Sequence, residues 1–573
     1  MNSGRAKGAA MRAAKSAFWN SRPAMVILIA VIAAAVSHAQ TFSVVYNFGS
    51  QVNDPQNPYL SGIIAQGRDG NLYSGASGGA NNLGAAYKVT VGGVLSNLYN
   101  FGTIGTDGNT PYGGLTLGTD GNFYGTTYGG GTTQYGTVFK VTPSGTLTTL
   151  YNFTAGNDGA LPIAPPIQGT DGNYYGTTCP GCNGAPGYGS VYKITPAGTF
   201  TVLYQCDITH CWNFYDPLIQ GTDGSFYATT LYGGTTEQGA VIKISSAGKL
   251  TVLYNFDGTH GYLPFAPLVQ GTDGNFYGTT VDGGSFGYGV VFRMTPTGKL
   301  TVLHNMNGTT DGGSPFAGLV QATDGNFYGA NAYEGAASTN CSSGCGTLFR
   351  ISPTGTFKVV YNFDQTTGQS PYTTLYQHTN GLLYGTTQTG GSESGNPACN
   401  AANCGVLYSL NIGAVPFAAL VSTSGKVGAK IGILGQNFSS SSVVTFGSVA
   451  ATSVTRSGTT FLQATVPSGA TTGSVTVTTT AGTLTSSKKF RVTPQITSFS
   501  PTSGPVGTVV TITGVSLTQT TKVTFGGVAA TSFTVNSDGQ VTATVPTGAK
   551  TGKIVITTAG GTASSATSFT VTT

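Results

Sequence analysis

A repeat of about 51 residues constrains the fold of this chain more than any other feature. Versions of the sequence TDGNFYGTT recur at intervals of 50 to 52 residues, and a divergent version follows after a further 56. The Asp of each version is Asp69, Asp120, Asp171, Asp223, Asp273 or Asp324, and the divergent version has Asn380 at this position. A period of this length predicts an array of similar structural units rather than a single irregular core.

Each unit contains four short strands, which the copy at 267–305 shows clearly. Strand a is the apolar segment 267–270, and strand b at 275–280 follows an Asp-Gly turn that suits antiparallel strands. Strands c and d lie at 290–294 and 299–305, separated by a Thr-Pro-Thr-Gly turn. Four strands per repeat without helical periodicity are typical of a β-propeller.

The number and order of the strands predict how the array closes. Complete sets of strands a, b and c begin near residues 59, 112, 162, 214, 264, 315 and 371, which makes seven. Strand d occurs near 41–48, 94–101, 146–153, 199–206, 249–256, 299–306 and 356–363, also seven times. Because the first strand d precedes every set, residues 42–48 are expected to complete the sheet begun by 371–411. The prediction is a seven-bladed β-propeller over residues 40–411.

The composition supports an all-β fold. Gly is abundant at 88 residues, charged residues make up only 8%, and the chain has three Glu, at Glu237, Glu334 and Glu393. Long surface helices need more Glu, Lys and Arg than this chain provides. A disordered chain is not expected either, because 39% hydrophobic and 10% aromatic residues can fill a core.

Residues 1–39 have the pattern of a secretory signal peptide. An unbroken apolar run at 24–36 is too short to span a bilayer, and Ser37 and Ala39 predict cleavage before Gln40. An uncleaved membrane anchor is the alternative, and Met11 is an alternative start. The basic residues before the apolar run are Arg5, Lys7, Arg12, Lys15 and Arg22. The expected location is therefore secreted or associated with the cell envelope, with no membrane span after cleavage.

Loss of this segment changes the charge of the protein. The formal net charge of +5 equals the five basic residues of the signal peptide, so the mature chain is near neutral. The sequence pI of 8.6 therefore gives no support to binding of nucleic acid or anionic membranes.

Eight cysteines fall into four close pairs, as expected for local disulfides in an exported chain. Each pair closes a small ring and should stiffen one loop. Two alternatives remain: Cys-Pro-Gly-Cys at the first pair as a redox motif, and zinc binding by the first two pairs with His210. The pairs are Cys179/Cys182, Cys206/Cys211, Cys341/Cys345 and Cys399/Cys404.

The repeat, as in Gly318-Leu319-Val320-Gln321 through Asp324-Gly325-Asn326-Phe327-Tyr328, resembles the GloVer tandem repeat of exported bacterial proteins. The resemblance covers nearly all of 41–411. It implies export and a repeat architecture, and it implies no particular activity.

Residues after Leu410 contain a second repeat, of 79 residues, with few aromatic side chains. Residues 423–428 and 502–507 correspond, and Val466-Pro467 and Val545-Pro546 follow at the same spacing. Alternating apolar and polar residues predict two small β-sandwiches of the immunoglobulin type, at 414–493 and 494–573.

The second of these modules resembles the IPT/TIG family of immunoglobulin-like domains. The resemblance rests on the segment ITSFSP at 496–501 and on Gly504-Pro505-Val506-Gly507. The first module departs from the pattern at Lys426, where the second has Pro505. The resemblance implies spacers or contact surfaces that carry no catalytic residues.

In such a propeller the b–c and d–a connections lie together on one face, and this face carries all four cysteine pairs. Variable, stiffened loops on a rigid frame are the usual place for a binding site. Aromatic rings there could stack on sugars, or could simply pack between sheets. The aromatic residues in or beside these loops are Tyr128, Tyr135, Tyr188, Trp212, Tyr232, Tyr262, Tyr288 and Tyr333.

No catalytic residue, cofactor site or metal site is predicted. The repeated Asp residues are expected to cap their own turns, because seven equivalent positions do not make one special site. A carboxylate pair for glycoside cleavage would need two of the three Glu residues, and only Glu334 and Glu393 lie on neighbouring units.

The sequence therefore predicts an exported, non-catalytic, monomeric protein whose propeller binds a glycan or an extracellular protein, with the C-terminal modules as spacers. A polysaccharide hydrolase or lyase acting on the same face is one alternative. A purely structural component of the cell envelope is the other. No nucleic-acid partner is expected.

Overall fold

A computed structural model of the chain describes residues 40–58, 62–179, 187–392, 399 and 404–573. Every regular element in these ranges is a β-strand, which confirms the all-β prediction. The predicted signal peptide at 1–39 lies outside the described residues, as do Cys182 and Glu393. Within the described ranges, no helix is long and apolar enough to cross a bilayer.

The described residues of the range 41–411 form 29 strands. They are β1 (Thr41–Asn47), β2 (Pro55–Gln56), β3 (Ala65–Gln66), β4 (Leu72–Gly78), β5 (Ala85–Val89), β6 (Leu95–Asn100), β7 (Thr116–Leu117), β8 (Phe123–Thr127), β9 (Thr137–Val141), β10 (Leu147–Asn152), β11 (Ile167–Gln168), β12 (Tyr174–Thr177), β13 (Ser190–Ile194), β14 (Phe200–Gln205), β15 (Ile219–Gln220), β16 (Phe226–Thr230), β17 (Ala240–Ile244), β18 (Leu250–Asn255), β19 (Val269–Gln270), β20 (Phe276–Thr280), β21 (Val290–Met294), β22 (Leu300–Asn305), β23 (Val320–Gln321), β24 (Phe327–Asn331), β25 (Thr347–Ile351), β26 (Phe357–Asn362), β27 (Tyr376–Gln377), β28 (Leu383–Thr386) and β29 (Val406–Asn411).

These strands make seven antiparallel sheets among the described residues, numbered here in chain order. Sheet 1 contains β2 to β6, sheets 2 to 6 each contain the next four strands, and sheet 7 has the order β1-β29-β28-β27. In sheet 7, Thr41 of β1 pairs with Asn411 of β29, and Asn47 pairs with Val406. The predicted pairing of the first strand with the last sheet is thereby confirmed.

Pairs of aromatic rings join neighbouring sheets at five of the seven junctions among the described residues. The Tyr of strand b in one sheet stacks on the aromatic residue that begins strand b of the following sheet, with ring centroids 3.8–4.2 Å apart. In the two remaining junctions Tyr328 and Tyr384 pack in clusters with Leu383 and Leu72. The stacked pairs are Tyr73–Phe123, Tyr124–Tyr174, Tyr175–Phe226 and Tyr277–Phe327, and in the fifth pair, Tyr227–Phe276, the rings are tilted by 34°.

A second set of contacts runs through the a–b turns. The backbone N–H of a Thr in each turn donates to the side-chain oxygen of a Gln in strand a of the next sheet, at 2.9–3.0 Å. The pairs are Thr119–Gln168, Thr170–Gln220, Thr222–Gln270, Thr272–Gln321, Thr323–Gln377 and Thr379–Gln66. Between sheets 1 and 2, where Leu117 stands in place of Gln, Arg68 Nη2 donates to the carbonyl of Thr119 at 2.6 Å. Every sheet is thus linked to the next, and sheet 7 is linked back to sheet 1.

The Asp of the repeated turn stabilises the turn itself. Asp273 accepts hydrogen bonds from Asn275 N at 3.1 Å, from Asn275 Nδ2 at 2.7 Å and from the Tyr277 hydroxyl at 2.8 Å. Asp69, Asp120, Asp171 and Asp324 make the same three bonds in their own repeats. The prediction that these residues cap their turns is confirmed.

The C-terminal part contains two sets of sheets with matching strand order. The first set has sheets β30-β32-β36-β35 and β34-β33-β37-β38 with the pair β31-β39, and the second has β40-β42-β46-β45 and β41-β48-β47-β43-β44. The strands are β30 (Ala419–Leu420), β31 (Ser424–Gly425), β32 (Lys430–Leu434), β33 (Val443–Phe446), β34 (Val449–Ala450), β35 (Val454–Ser457), β36 (Phe461–Thr465), β37 (Val475–Thr479), β38 (Gly482–Thr485), β39 (Arg491–Val492), β40 (Gln495–Ser500), β41 (Ser503–Gly504), β42 (Val509–Val515), β43 (Thr520–Phe525), β44 (Val528–Ala529), β45 (Phe533–Ser537), β46 (Gln540–Thr544), β47 (Gly552–Thr558) and β48 (Gly561–Val571).

We call the side of the a–b and c–d turns the turn face and the side of the b–c and d–a connections the loop face. The first C-terminal module contacts the turn face of sheets 1 and 7. Thr460 Oγ1 donates to the carbonyl of Arg68 at 2.7 Å, and the Arg68 guanidinium lies 4.4 Å from the ring centre of Phe461. Gln436 Nε2 donates to Thr379 Oγ1 at 2.8 Å. These contacts all lie on the turn face.

Removal of the Phe42 ring should destabilise the junction of the first strand with sheet 7. The ring stacks on Tyr361 with centroids 3.8 Å apart and lies 5.3 Å from Tyr408. We expect Phe42→Ala to lower the free energy of unfolding by about 2 kcal/mol, from lost burial and stacking. Differential scanning calorimetry would show the lower melting temperature. Phe286→Ala is the control because Phe286 is 61% exposed; equal melting temperatures for the two variants would contradict the pairing.

Candidate binding face

The loops of the loop face are held against one another between neighbouring sheets. In five sheets the d–a connection that leads into the sheet forms a β-bridge with that sheet's own b–c connection. Each bridge joins residues 20 positions apart, one on each of the two loops. The bridges are Asn109–Gly129, Trp212–Tyr232, Tyr262–Asp282, Gly313–Tyr333 and Gln369–Thr389.

Disulfides add to this support. The structure joins Cys206 to Cys211, Cys341 to Cys345 and Cys399 to Cys404. Cys179 is also disulfide-bonded, and its predicted partner Cys182 lies outside the described residues. The Cys399–Cys404 pair lies against Gly49, whose φ of 75° suits glycine, so this disulfide ties the first connection of the chain to the last sheet.

The eight predicted aromatic residues differ in exposure. Tyr135, Tyr188, Tyr288 and Tyr333 are 37–42% exposed, whereas Tyr128, Trp212, Tyr232 and Tyr262 are half-buried. Only the first four present most of a ring edge to solvent. The half-buried rings contribute more to the packing of the loops than to a surface.

Three of the predicted residues form one cluster. Trp212 lies 5.8 Å from Tyr188 and 5.3 Å from Tyr232, measured between ring centroids. The Trp212 indole N–H is buried, and no described residue accepts a hydrogen bond from it. A buried donor without a partner is costly unless a ligand or water accepts from it.

The structure also shows an aromatic row that the sequence analysis missed. In sheets 2 and 4 to 7 an aromatic residue lies just before strand a, and the members in sheets 4 to 7 contact one another. Tyr215 lies 4.3 Å from Phe265, Phe265 lies 5.0 Å from Phe316, and Phe316 lies 5.0 Å from Tyr372. Tyr112 contacts Tyr128 at 5.6 Å. The available signal was an aromatic residue two to four positions before the apolar strand a in most repeats.

A second repeated Asp was missed as well. Each strand d carries a Tyr or His that is followed by an Asp in the next connection, and five of these pairs are hydrogen-bonded, as Tyr99 is with Asp107 at 2.6 Å. Asp107 is fully buried and also accepts from Gly102 N and Thr103 N, so it shapes its loop. The seven residues are Asp54, Asp107, Asp158, Asp207, Asp257, Asp311 and Asp364.

The Asp residues of the a–b turns and those that follow strand d account for most carboxylates of the repeat region. The remaining carboxylates are the candidates for function. They are Asp216, Glu237, Asp282, Glu334 and Glu393. Glu393, which the hydrolase alternative would pair with Glu334, lies outside the described residues. Glu237 is exposed. The other three are at least half-buried.

Asp282, Tyr288, Gly313, Tyr333 and Glu334 form what we call the acidic–aromatic cluster, between sheets 5 and 6. A Cβ atom at Gly313 would lie 2.5 Å from Glu334 Oε2 and 3.0 Å from Tyr288 Cδ1, so both side chains meet over this glycine. Tyr333 exchanges backbone hydrogen bonds with Gly313 at 3.0 and 3.3 Å. Glu334 forms a bridge with Cys345, which places the disulfide beside it.

The electrostatics of this cluster are those of two crowded carboxyl groups. Burial raises the pKa of Glu334, and the nearby charge of Asp282 raises it further. Burial also raises the pKa of Asp282. No described residue donates a hydrogen bond to Glu334 Oε2, which is buried. The described residues contain no group of three or more His, Cys, Asp and Glu side chains placed to hold a metal ion.

Asp216 is a different exception, buried in the d–a connection that leads into sheet 4, directly after Tyr215 of the aromatic row. The corresponding position is Ala164, Ala266 or Ala317 in other repeats. Asp216 is 1% exposed, and its Oδ1 has no hydrogen-bond partner among the described residues. Burial raises the pKa of Asp216 well above its ordinary value, although a hydrogen bond from Thr229 acts to lower it.

Asp216 should therefore make stability fall as the pH rises. A carboxyl with a raised pKa keeps its proton in the folded state while the unfolded chain releases it, starting near an unfolded pKa of about 3.9. We expect Asp216→Asn to stabilise the protein at neutral pH and to leave stability unchanged below that pKa. Urea unfolding of the natural chain and the variant, at neutral pH and at a pH below the unfolded pKa, measures the difference in their free energies of unfolding.

Asp207→Asn is the control, because it should change the free energy of unfolding at neutral pH in the opposite direction. Burial acts to raise the pKa of Asp207, but hydrogen bonds from Thr209 and His210 outweigh it and lower the pKa. This variant should lose stability at neutral pH. A neutral-pH loss in Asp216→Asn as well would show that Asp216 is ionised in the folded protein.

Comparison with known proteins identifies the two parts of the chain. The family model described as the Gloeobacter/Verrucomicrobia repeat matches residues 31–210, 163–399 and 215–461, and the IPT/TIG domain model matches 494–571. Both predicted resemblances are confirmed. None of the curated proteins compared with the chain matches it.

Solved structures give weaker likenesses. A streptogramin B lyase is 14% identical, with 65% of this chain and 97% of that chain covered and a TM-score of 0.41. A fungal alcohol oxidase of the AA5 family, in complex with copper, is 15% identical, with 79% and 100% covered and a TM-score of 0.46.

The glycan-binding protein SGBP-B from a xyloglucan utilization locus of Bacteroides uniformis is 25% identical, with 27% and 48% covered and a TM-score of 0.14. At such scores none of these proteins carries an activity over to this chain. The repeat matches together cover most of the sequence and agree with the seven repeated sheets. The chain therefore belongs to the Gloeobacter/Verrucomicrobia repeat family and carries a C-terminal IPT/TIG domain.

Proposed function

We propose that this is an exported, non-catalytic glycan-binding protein, in which the loop face of a seven-bladed propeller holds the ligand and two immunoglobulin-like modules act as spacers. The propeller spans 40–411 and the modules span 414–493 and 494–573. The circle of Thr–Gln contacts that returns from sheet 7 to sheet 1 supports the closed propeller. The matching strand order of the two C-terminal parts supports two modules of one type.

Export accounts for the cysteines and for the beginning of the chain. Local disulfides persist in oxidising compartments outside the cytosol. The apolar segment 24–36 with its basic flank is the pattern of an export signal. The first module contacts the turn face. In a monomer at the cell surface, the loop face would therefore point away from the C-terminal modules.

The observation that carries glycan binding is the concentration of aromatic rings on the loop face. The exposed ring of Tyr333 adjoins the aromatic row through a hydrogen bond between the Tyr333 and Tyr372 hydroxyls, and the exposed ring of Tyr288 lies against Gly313 beside it. Flat rings can stack on the C–H faces of sugars, while neighbouring hydroxyl and amide groups hydrogen-bond the sugar hydroxyls. Bridged and disulfide-bonded loops hold these rings in place before a ligand arrives.

The carboxyl groups support binding rather than hydrolysis. A glycosidase keeps one carboxyl protonated and the other ionised by giving them unlike surroundings. Burial raises the pKa of both Asp282 and Glu334, so their surroundings act in the same direction. We therefore expect no turnover of bound sugar.

One observation favours hydrolysis as a second candidate. Asp282 and Glu334 are exceptions to the repeat, and they lie close enough for the charge of one to raise the pKa of the other. A glycosidase requires at least one pair of carboxyl groups that flank the scissile bond, and these two residues could supply such a pair. The turnover assay below separates the two candidates.

Substitution of the exposed rings should weaken glycan binding. We expect Tyr288→Ala and Tyr333→Ala each to raise the Kd for the best ligand of an oligosaccharide array by about tenfold, through loss of stacking area. Isothermal titration calorimetry measures the change. Val94→Ala, at a turn-face position 64% exposed, is the control and should bind normally.

The array also separates the other possibilities. Absence of binding to every oligosaccharide, with capture of an extracellular protein instead, would replace the glycan by a protein partner. Absence of any ligand would leave a structural role in the envelope.

Incubation with bound oligosaccharide should release no shorter product. Chromatography of the sugar after prolonged incubation makes the measurement, with Glu334→Gln as the comparison. Products formed by the natural chain and lost in Glu334→Gln would establish the hydrolase instead.

A further inference from the structure

We propose that the glycan bound at the loop face carries free amino groups, and that Asp282 and Glu334 of the acidic–aromatic cluster receive a protonated amine. This inference rests on the proposed glycan-binding function and narrows it to one chemical class of sugar. Three observations carry it: the separation of charge between the faces, the convergence of side chains over Gly313, and the unpartnered oxygen of Glu334.

Basic side chains in the repeat region belong to the turn-face half of the sheets. They occupy the a–b turn, the fourth position of strand c, the c–d turn or the start of strand d. Lys243, for example, reaches the turn residue Asp223 at 2.7 Å. The ten residues are Arg68, Lys88, Lys140, Lys193, Lys243, Lys249, Arg293, Lys299, Arg350 and Lys358.

The b–c and d–a connections contain twelve carboxylates and no Lys or Arg in their sequence. The cationic partners near this face are histidines, and each serves a repeated Asp: His210 with Asp207, His260 with Asp257, and His304 with Asp311. Asp282 and Glu334 have no such partner among the described residues. The face is therefore negative although the mature chain as a whole is near neutral. Such a face attracts cations and repels anionic sugars.

The acidic–aromatic cluster has the form of a small cation site. Glu334 Oε2 and the ring of Tyr288 both lie against Gly313, where a Cβ atom would meet them at 2.5 and 3.0 Å. Asp282 stands on the neighbouring connection, where the adjacent residue Gly283 forms a β-bridge with Tyr288. Tyr333 and Tyr288 are exposed beside the two carboxyls. An ammonium group placed here would face carboxylates and ring faces together.

A protonated amine satisfies this site better than a hydroxyl does. Glu334 Oε2 is buried without a donor, and an ammonium group supplies three donors and a positive charge. That charge also relieves the repulsion between Asp282 and Glu334, which a neutral hydroxyl would leave in place. An N-acetyl group has lost the charge and two of the donors, so acetylation should remove most of the preference.

The test compares two oligosaccharides that differ only in acetylation. Calorimetric titration of the full mature chain with the hexasaccharide of glucosamine and with that of N-acetylglucosamine is carried out at mildly acidic pH, where the sugar amines are protonated. We expect the free amine to bind about tenfold more tightly. Added salt should reduce this difference, because it screens the carboxylates.

Variants test which residues cause the preference for the free amine. Glu334→Gln and Asp282→Asn should each bring the two Kd values within about threefold of one another, while Tyr288→Ala weakens both sugars. Glu237→Gln is the matched control: it removes one loop-face carboxylate from an exposed position on sheet 4 and should keep the preference. A melting temperature for each variant confirms that it is folded.

The outcomes separate this inference from the proposed function. Equal binding of both hexasaccharides overturns the preference for amines and leaves the glycan-binding function standing. A preference that survives Glu334→Gln and Asp282→Asn places the amine elsewhere and overturns the site. Binding of a lysine oligopeptide, with neither sugar bound, shows that the anionic face serves a peptide and overturns both proposals.

Discussion

The stacking of an aromatic ring in one sheet on an aromatic ring in the next is the contact on which the repeat region depends. Tyr277 illustrates it: the ring stacks on Phe327 of the following sheet, while its hydroxyl donates to Asp273 of its own turn. One side chain therefore fixes both the turn and the junction between sheets. Repetition of this arrangement leaves little freedom in the sequence of the turn face, and it explains why the turn motif is so nearly constant.

The sequence can vary in the connections of the loop face, and there the successive repeats differ from one another. The connections carry the disulfides, the exposed tyrosines and every carboxylate that the repeat does not require. The cluster around Gly313 is assembled from the connections of two neighbouring sheets. A rigid frame with variable loops thus concentrates functional differences on one surface, as in other scaffolds that bind ligands through loops.

Much of the architecture was predictable from the sequence because it follows from periodicity. The interval between Asp residues predicted the array, and the position of 41–48 before the first complete unit predicted the pairing of β1 with β29. The candidate site was less predictable. Glu334 was recognised as unusual, but its nearness to Asp282 was not, because the two lie 52 residues apart at positions that do not correspond in the repeat. The row Tyr215–Phe265–Phe316–Tyr372 was likewise missed, since its members are separated by whole repeats.

The sequence by itself determined the all-β class, the repeat, the turns capped by Asp and the loop positions of the cysteines. Each of these depends on residues close together in the chain, or on a spacing that can be counted. The tertiary structure decided which loops meet, which tyrosines are exposed, and which carboxylates are left without a cation. Those properties depend on contacts between residues some 20 to 50 positions apart, on different connections, which meet only when the strands and sheets are assembled.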